Sequence, residues 1–217
     1  MKTTIITLAG KKGGTGKSTL CLAVAATLAL RGKKVLVVDT DPQASALSGA
    51  RAAPDDSPFP ATVIGLAGAG SKLARELHPH VGVYDYILVD TQAGTSFEAT
   101  QSALLVSNLC LLPSRPSAPD IFALRSMQPL LDQVRTLNEA LVIVVVATQV
   151  PRTSAAGHAL DVLKQLGHPV LDALIRDRSA YQELAMSGLP LQRLGRGAKL
   201  AAAEVESLTD ELLKIIK

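Results

Sequence analysis

The stretch Lys12-Gly13-Gly14-Thr15-Gly16-Lys17-Ser18-Thr19 has the composition of a cradle for a polyphosphate. Gly13, Gly14 and Gly16 let backbone N–H groups approach phosphate oxygens with no Cβ in the way. Lys17 is placed to reach β- and γ-phosphates, the Ser18 hydroxyl to ligate Mg²⁺, and Thr19 to touch the α-phosphate. A helix starting at Lys17 would add the positive end of its dipole. Charge points the same way. Lys11, Lys12 and Lys17 crowd a helix start, where each cation costs roughly 0.3–1 kcal/mol unless an anion is bound there. The expected ligands are ATP or ADP with Mg²⁺.

Two acidic strand ends could complete such a site. Val35-Leu36-Val37-Val38-Asp39-Thr40-Asp41-Pro42-Gln43 ends a run of apolar residues with two carboxylates. Alternation sets Asp39 and Asp41 on one side of the chain, where they could organise Mg²⁺ and a water opposite the γ-phosphate. An Asp-Pro turn is the plain alternative. Ile87-Leu88-Val89-Asp90-Thr91-Gln92-Ala93-Gly94 is the second such end. Asp90 follows apolar strand residues, as a carboxylate holding a magnesium-bound water should, and Gly94 would let the backbone move toward the γ-phosphate.

The elements that position these residues alternate. Predicted strands are Thr3–Ala9, Lys34–Asp39, Tyr84–Asp90, Leu109–Pro113, Leu141–Gln149 and Val170–Arg176. Most are near-continuous Val, Ile and Leu, the pattern of parallel strands buried on both faces. Predicted helices are Lys17–Arg31, Ser96–Val106, Asp120–Leu137, Ala155–Leu166, Ser179–Ser187 and Lys199–Ile216. A short strand at Thr62–Leu66, a short helix at Ser71–Leu77 and a proline-rich surface loop at Ala50–Pro60 fill the gap between them. This order implies an α/β fold, a doubly wound and mostly parallel sheet flanked by helices, in a single domain over residues 1–217.

Composition narrows the class. The chain has 217 residues, 47% hydrophobic and 19% charged, which suits one globular domain. Three Phe, three Tyr and no Trp leave an aliphatic core and too few rings for a base-stacking surface. The net charge of +3 is too small to imply a polyanion partner without a local patch. Cys21 and Cys110 lie in apolar stretches and read as buried thiols of a reducing compartment. Neither a secretory signal nor a membrane-length apolar run is visible, so a cytoplasmic location is expected.

Lys12 directly before the Gly-Gly pair, with Lys11 where a glycine is commonly found, is similar to the deviant Walker A loop of the ParA/MinD family of ATPases. The resemblance covers essentially the whole chain. It implies that Lys12 reaches across a dimer to the partner subunit's nucleotide; a solvated loop lysine is the alternative. It implies that Asp41 positions the attacking water, that Asp39 supports the magnesium shell and that Gln43 belongs to the same switch. Asp90 to Gly94 resembles Walker B with the second switch, although Gln92-Ala93 stands where many relatives have proline. Relatives also use the region of Arg115 and Asp120 near the nucleotide and dimer interface, and the strand end at Thr148 and Gln149 near adenine. As plain alternatives, Asp120 would be a helix cap and the other two ordinary strand-end residues.

Arg176, Arg178, Arg193, Arg196 and Lys199 outnumber Asp177 and Glu183 in the segment from Arg176 to Lys199. They form either a solvated surface or a non-specific contact for DNA phosphates. Apolar Val205, Leu208, Leu212, Ile215 and Ile216 alternate with acidic residues near the C-terminus. Membrane-surface helices are basic on the polar face, so this one is expected to pack on the sheet, with no stable membrane association.

By resemblance the chain is a slow ATPase that dimerises with ATP, binds nucleoid DNA non-specifically and is stimulated by a separate adaptor or centromere-binding protein. Its expected cargo is plasmid or chromosomal DNA, and no fused helix-turn-helix domain is expected before the first strand. A protein cargo, a MinD-like membrane positioner and a metabolic ligase of the dethiobiotin synthetase kind are the competing readings. A nitrogenase-like reductase is disfavoured, because the cysteines for an intersubunit iron–sulfur cluster are missing.

Overall fold

A computed structural model describes residues 3–94, 97–151, 155–164 and 167–216, with side chains throughout these ranges except 155–159. The strands are β1 (Thr4–Leu8), β2 (Val35–Asp39), β3 (Thr62–Gly65), β4 (Tyr86–Asp90), β5 (Leu109–Ser114), β6 (Val142–Val150) and β7 (Val170–Arg176). The helices are α1 (Lys17–Leu30), α2 (Ser45–Arg51), α3 (Leu73–Leu77), α4 (Glu98–Leu104), α5 (Ala118–Arg125), α6 (Gln128–Leu137), α7 (Ala155–Lys164), α8 (Ser179–Ser187) and α9 (Lys199–Ile215). Ser96 and Leu166, predicted as helix limits, lie outside the described residues.

The strands form one seven-stranded sheet in the order β3-β2-β4-β1-β5-β6-β7. Every pairing is parallel, so the sheet is wholly parallel where a mostly parallel one was expected. The chain leaves β1 for β2 and β3, returns through β4 to β1's side, and then builds outward through β5. β1 therefore sits at the point where the winding reverses, and the crevice beyond its carboxyl end is where such sheets place ligands.

Strand alternation divides the core. Ile6, Val35, Val37, Leu109 and Val144 face α1 and α9, in a cluster with Leu22, Val205 and Leu208. Ile5, Leu36, Val38 and Ile87 face the opposite layer, with Leu73, Leu77 and Ala103. Cys110, Ile143 and Val145 face the same side as Ile121, Leu131 and Val134. Helix α1 is buried almost all round, from Leu20 to Leu28, because it lies on the sheet with α2, α8 and α9 against its other flanks. Cys21 and Cys110 are both free and buried.

Two helices depart from the sequence reading. The segment expected as one helix over Asp120–Leu137 is two, broken at Ser126-Met127. Pro129, in the first turn of α6, has no N–H to continue a preceding helix and fits a new helix start instead. Helix α2 was not foreseen. Its residues Ser-Ala-Leu-Ser-Gly-Ala-Arg carry little helical periodicity, and its start is held by a tertiary contact from Asp39.

Candidate functional site

The glycine-rich turn joins β1 to α1, as expected. Gly14 and Gly16 have φ of +72° and +88°, which a side chain would resist, and Gly16 is the residue that opens α1. Three groups from distant strands hold the loop by its carbonyls. Gln149 Nε2 donates to Gly14 O at 2.8 Å, the Arg115 guanidinium donates to the same oxygen, and Thr148 Oγ1 donates to Thr15 O at 2.9 Å. In a trans peptide the N–H points opposite to the C=O. Holding those two carbonyls therefore aims the Thr15 and Gly16 N–H groups to the other side. Arg115 also comes within 3.0 Å of where a Cβ on Gly14 would stand, a second reason for glycine there.

Behind this loop the charges are crowded and only partly satisfied. Asp39 and Asp90 are side by side at the carboxyl ends of β2 and β4. Asp90 is fully buried, and neither carboxylate oxygen has a hydrogen-bond partner among the described residues. Burial pushes its carboxyl up to about 7; nearby Ser18 and Lys17 pull it down, while Asp39 and Asp41 push it further up. The Ser18 hydroxyl acts here as a neighbour, without the geometry of a closed hydrogen bond. Lys17 is buried as well and donates from Nζ to Lys12 O at 3.2 Å. Burial lowers its pKa, against the attraction of Asp90 and Asp41. A buried, unpartnered carboxylate beside a hydroxyl and a lysine is costly without a guest. It fits Mg²⁺, which takes one or two protein oxygens and completes its shell with water and phosphate. Among the described residues no group of three or more His, Cys, Asp or Glu could cage a metal by itself. The fit is thus to a metal brought in with phosphates.

The first acidic end has divided duties. Asp39 Oδ1 accepts from Asp41 N at 3.0 Å and Oδ2 from Leu47 N at 2.9 Å. Its carboxylate thereby ties the strand end to the first turn of α2. Asp41 is half-buried and accepts from Gln43 N at 2.9 Å, while the Gln43 side chain is exposed. At the second end Gly94, with φ of +124°, donates from N to Lys11 O at 2.8 Å and links that loop to the phosphate loop.

Lys12 reaches back to its own chain, where Nζ meets Asp120 Oδ2 at 2.8 Å. Asp120 is buried and also accepts from the Ser117 hydroxyl. Ser117, in extended conformation, is the residue that opens α5. Asp120 sits within the first turn and is therefore not the cap, although its charge suits a helix N-terminus.

Beyond Gly16 and Thr19 the cradle opens into a cavity of about 440 Å³. Thr148 and Gln149 line it, with Ile175, Arg176, Arg178, Tyr181 and Met186 opposite. Tyr181 and Met186 carry no recognisable sequence signal, since nothing local relates α8 to a loop more than 160 positions earlier. The structure does not gather the five basic residues into one patch. Arg176 and Arg178 line this cavity, and Arg178 is paired with Glu204 at 2.6 Å. Arg196 and Lys199 are exposed beside a different hollow, and Arg193 donates to the Ser57 hydroxyl at 3.1 Å. The division follows from the chain path. Arg176 ends β7 and Arg178 opens α8, whereas Arg193, Arg196 and Lys199 all follow α8.

Residues 6–191 match the model of the CobQ/CobB/MinD/ParA nucleotide-binding domain. The chain belongs to this family. Among its relatives, the maintenance of carboxysome distribution protein A of Gloeobacter kilaueensis is 30% identical over 223 residues, covering 96% of this chain and 93% of that protein. Protein ParA of Rhizobium radiobacter is 24% identical over 218 residues, covering 98% and 96%. Among solved structures, a Cyanothece McdA in complex with ATP superposes with a TM-score of 0.80 at 16% identity, covering 97% of this chain and 96% of the other. That likeness establishes the shared fold of the family. Among the described residues, no helix is long and apolar enough to cross a membrane. Helix α9 buries Val205, Leu208 and Leu212 against the sheet and α1, as its apolar stripe led one to expect.

Proposed function

We propose that the chain is an ATP-dependent, dimerising ATPase that positions a large intracellular cargo. The observation that carries this reading is Asp90. A fully buried carboxylate with both oxygens unpartnered among the described residues faces Lys17 and Ser18 behind a glycine loop, an arrangement that a magnesium-bound triphosphate would satisfy.

In this reading the loop N–H groups and Lys17 hold the phosphates and offset the charge that builds on them during transfer. Ser18 and Asp90 hold Mg²⁺, which neutralises the phosphate oxygens when bound. Asp41 orients the attacking water and accepts its proton as the bond from the γ-phosphorus to the bridging oxygen breaks, yielding ADP and phosphate. Asp39 acts through the Asp41 amide and α2, as the support of that switch. Lys12 leaves Asp120 to reach the nucleotide of a second subunit. ATP then favours the dimer because its γ-phosphate makes contacts there that ADP cannot.

The relative named for carboxysome distribution, 30% identical over nearly the full chain, supports a protein body as cargo. The ParA relative supports DNA partition. In both readings the exposed Arg193, Arg196 and Lys199 would touch nucleoid DNA through phosphates alone, and an adaptor bound to the cargo would stimulate hydrolysis.

Hydrolysis and dimerisation test the reading. Lys17→Ala is expected to lower ATP turnover by about 10³-fold, and Asp41→Ala by about 10²-fold with ATP still bound. Sedimentation with a non-hydrolysable analogue should give a dimer for the wild type. An Asp41→Ala protein that hydrolyses at the normal rate would remove its water-orienting role. DNA binding that ignores both salt and nucleotide would remove the nucleoid.

A further inference from the structure

Glu204 lies on α9, outside the 440 Å³ cavity, yet it touches three of the residues that line it. Its Oε1 accepts from Arg178 Nε at 2.9 Å and from Arg178 Nη2 at 2.6 Å. Its Oε2 accepts from the Tyr181 hydroxyl at 3.0 Å and from the Arg176 amide at 3.2 Å. One carboxylate thus binds the end of β7, the loop after it and the first turn of α8.

We propose that Glu204 is a positioning residue for the nucleobase: by holding Arg178, Tyr181 and the Arg176 amide together it sets the cavity wall against which the base packs. The inference rests on the reading that the neighbouring loop holds ATP.

The cavity begins at Gly16 and Thr19, where the phosphate cradle ends, so a nucleotide seated in the cradle would extend its base into it. Ile175 and Leu20 give that space apolar sides, and Arg178 is among its lining residues, so its guanidinium would offer a planar cation to a ring seated there. Such a wall is useful only if the guanidinium is fixed. A free arginine has many rotamers, whereas a fork bonded through Nε and Nη2 has one. The side chains of Arg178 and Glu204 are each 15% exposed, so water competes weakly for the pair. Burial and Glu204 both raise the pKa of the Tyr181 phenol, which keeps its proton available for the bond to the carboxylate.

A purely architectural role explains less. Helix α9 is already anchored by buried Val205, Leu208 and Leu212. A largely buried ion pair adds little net stability over an apolar contact of the same shape, so its value lies in where it places Arg178.

The test compares Mg-ATP with Mg-tripolyphosphate, which offers phosphates and no base, by titration calorimetry on the full chain and on Glu204→Gln. ATP is expected to bind the variant about tenfold more weakly, with tripolyphosphate unchanged within about twofold. Equal weakening of both ligands would make Glu204 a merely structural residue, and unchanged ATP affinity would remove the role altogether. Should Glu204→Gln not fold, Tyr181→Phe keeps the ring and deletes one bond to the carboxylate. It should weaken ATP about threefold and spare tripolyphosphate, and no loss of ATP affinity would overturn the proposal. A wild-type chain that binds neither ligand would sink the phosphate-loop reading instead.

Discussion

The two ends of the crevice are built on opposite terms. At the phosphate end, Asp90 is buried without a partner, the Thr15 hydroxyl is likewise unpartnered among the described residues, and Lys17 is stripped of water. At the cavity end Arg178 and Tyr181 are closed on one carboxylate, with Glu204 accepting four hydrogen bonds. One end carries stored electrostatic discomfort that a charged guest would relieve. The other carries a finished wall that shapes a guest without needing it. The difference suits a site that must respond to the number of phosphates and keep the base still.

The contrast is broken most directly at Asp90. Its folded pKa is raised to about 7 from an ordinary value near 3.8. A raised acid contributes stability below its unfolded pKa, and that contribution is lost as pH rises through about 7. Asp90→Asn mimics the protonated form. Without Mg²⁺ or nucleotide it should therefore exceed the wild type in stability at pH 8 by on the order of 4 kcal/mol, the gap closing toward pH 4. Urea unfolding at the two pH values measures this, and a gap that does not narrow would mean that the phosphate end is not under strain.

Gly188 sharpens the other side of the contrast. It ends α8 with φ of +66°, and a Cβ there would lie 2.4 Å from Ala53 N and 2.7 Å from Gly49 O. Gly188→Ala should cost about 3 kcal/mol of unfolding free energy by forcing α8 off α2. A loss below about 1 kcal/mol would show that the wall behind the base yields easily. The smallest effect is expected at Asp120→Asn. Asp120 is 2% exposed, but Lys12 is 38% exposed and water screens its charge, and an amide oxygen can still accept from Ser117 and Lys12, so stability should change by no more than about 1 kcal/mol. A larger loss would make that contact part of the fold instead of a reversible resting place for Lys12.

What could be read in advance follows the same division. The phosphate loop was legible because its residues are consecutive and their types leave few other uses. Asp39 and Asp90 were legible as strand ends because each closes an apolar strand, and Asp41 follows two residues after the first. Thr148 and Gln149 were placed near the nucleotide by resemblance, but their grip on the Gly14 and Thr15 carbonyls was not readable. Nor was α2, whose start depends on Asp39, or the break at Ser126-Met127, where a proline three residues on was read through. The basic segment was read as one candidate surface, whereas Arg176 and Arg178 line the cavity beyond the cradle and Arg196 and Lys199 border a different hollow.

Legible from the chain alone were a mostly parallel α/β sheet and a glycine-rich turn at the head of its first long helix. Those depend on local residue type and spacing, which short-range sterics and periodicity convert directly into structure. The burial of Asp90, the contact of Lys12 with Asp120 and the bonds from Arg178 and Tyr181 to Glu204 exist only in the folded chain. Burial and long-range pairing arise from the way layers close on one another, and no window along the chain contains both partners.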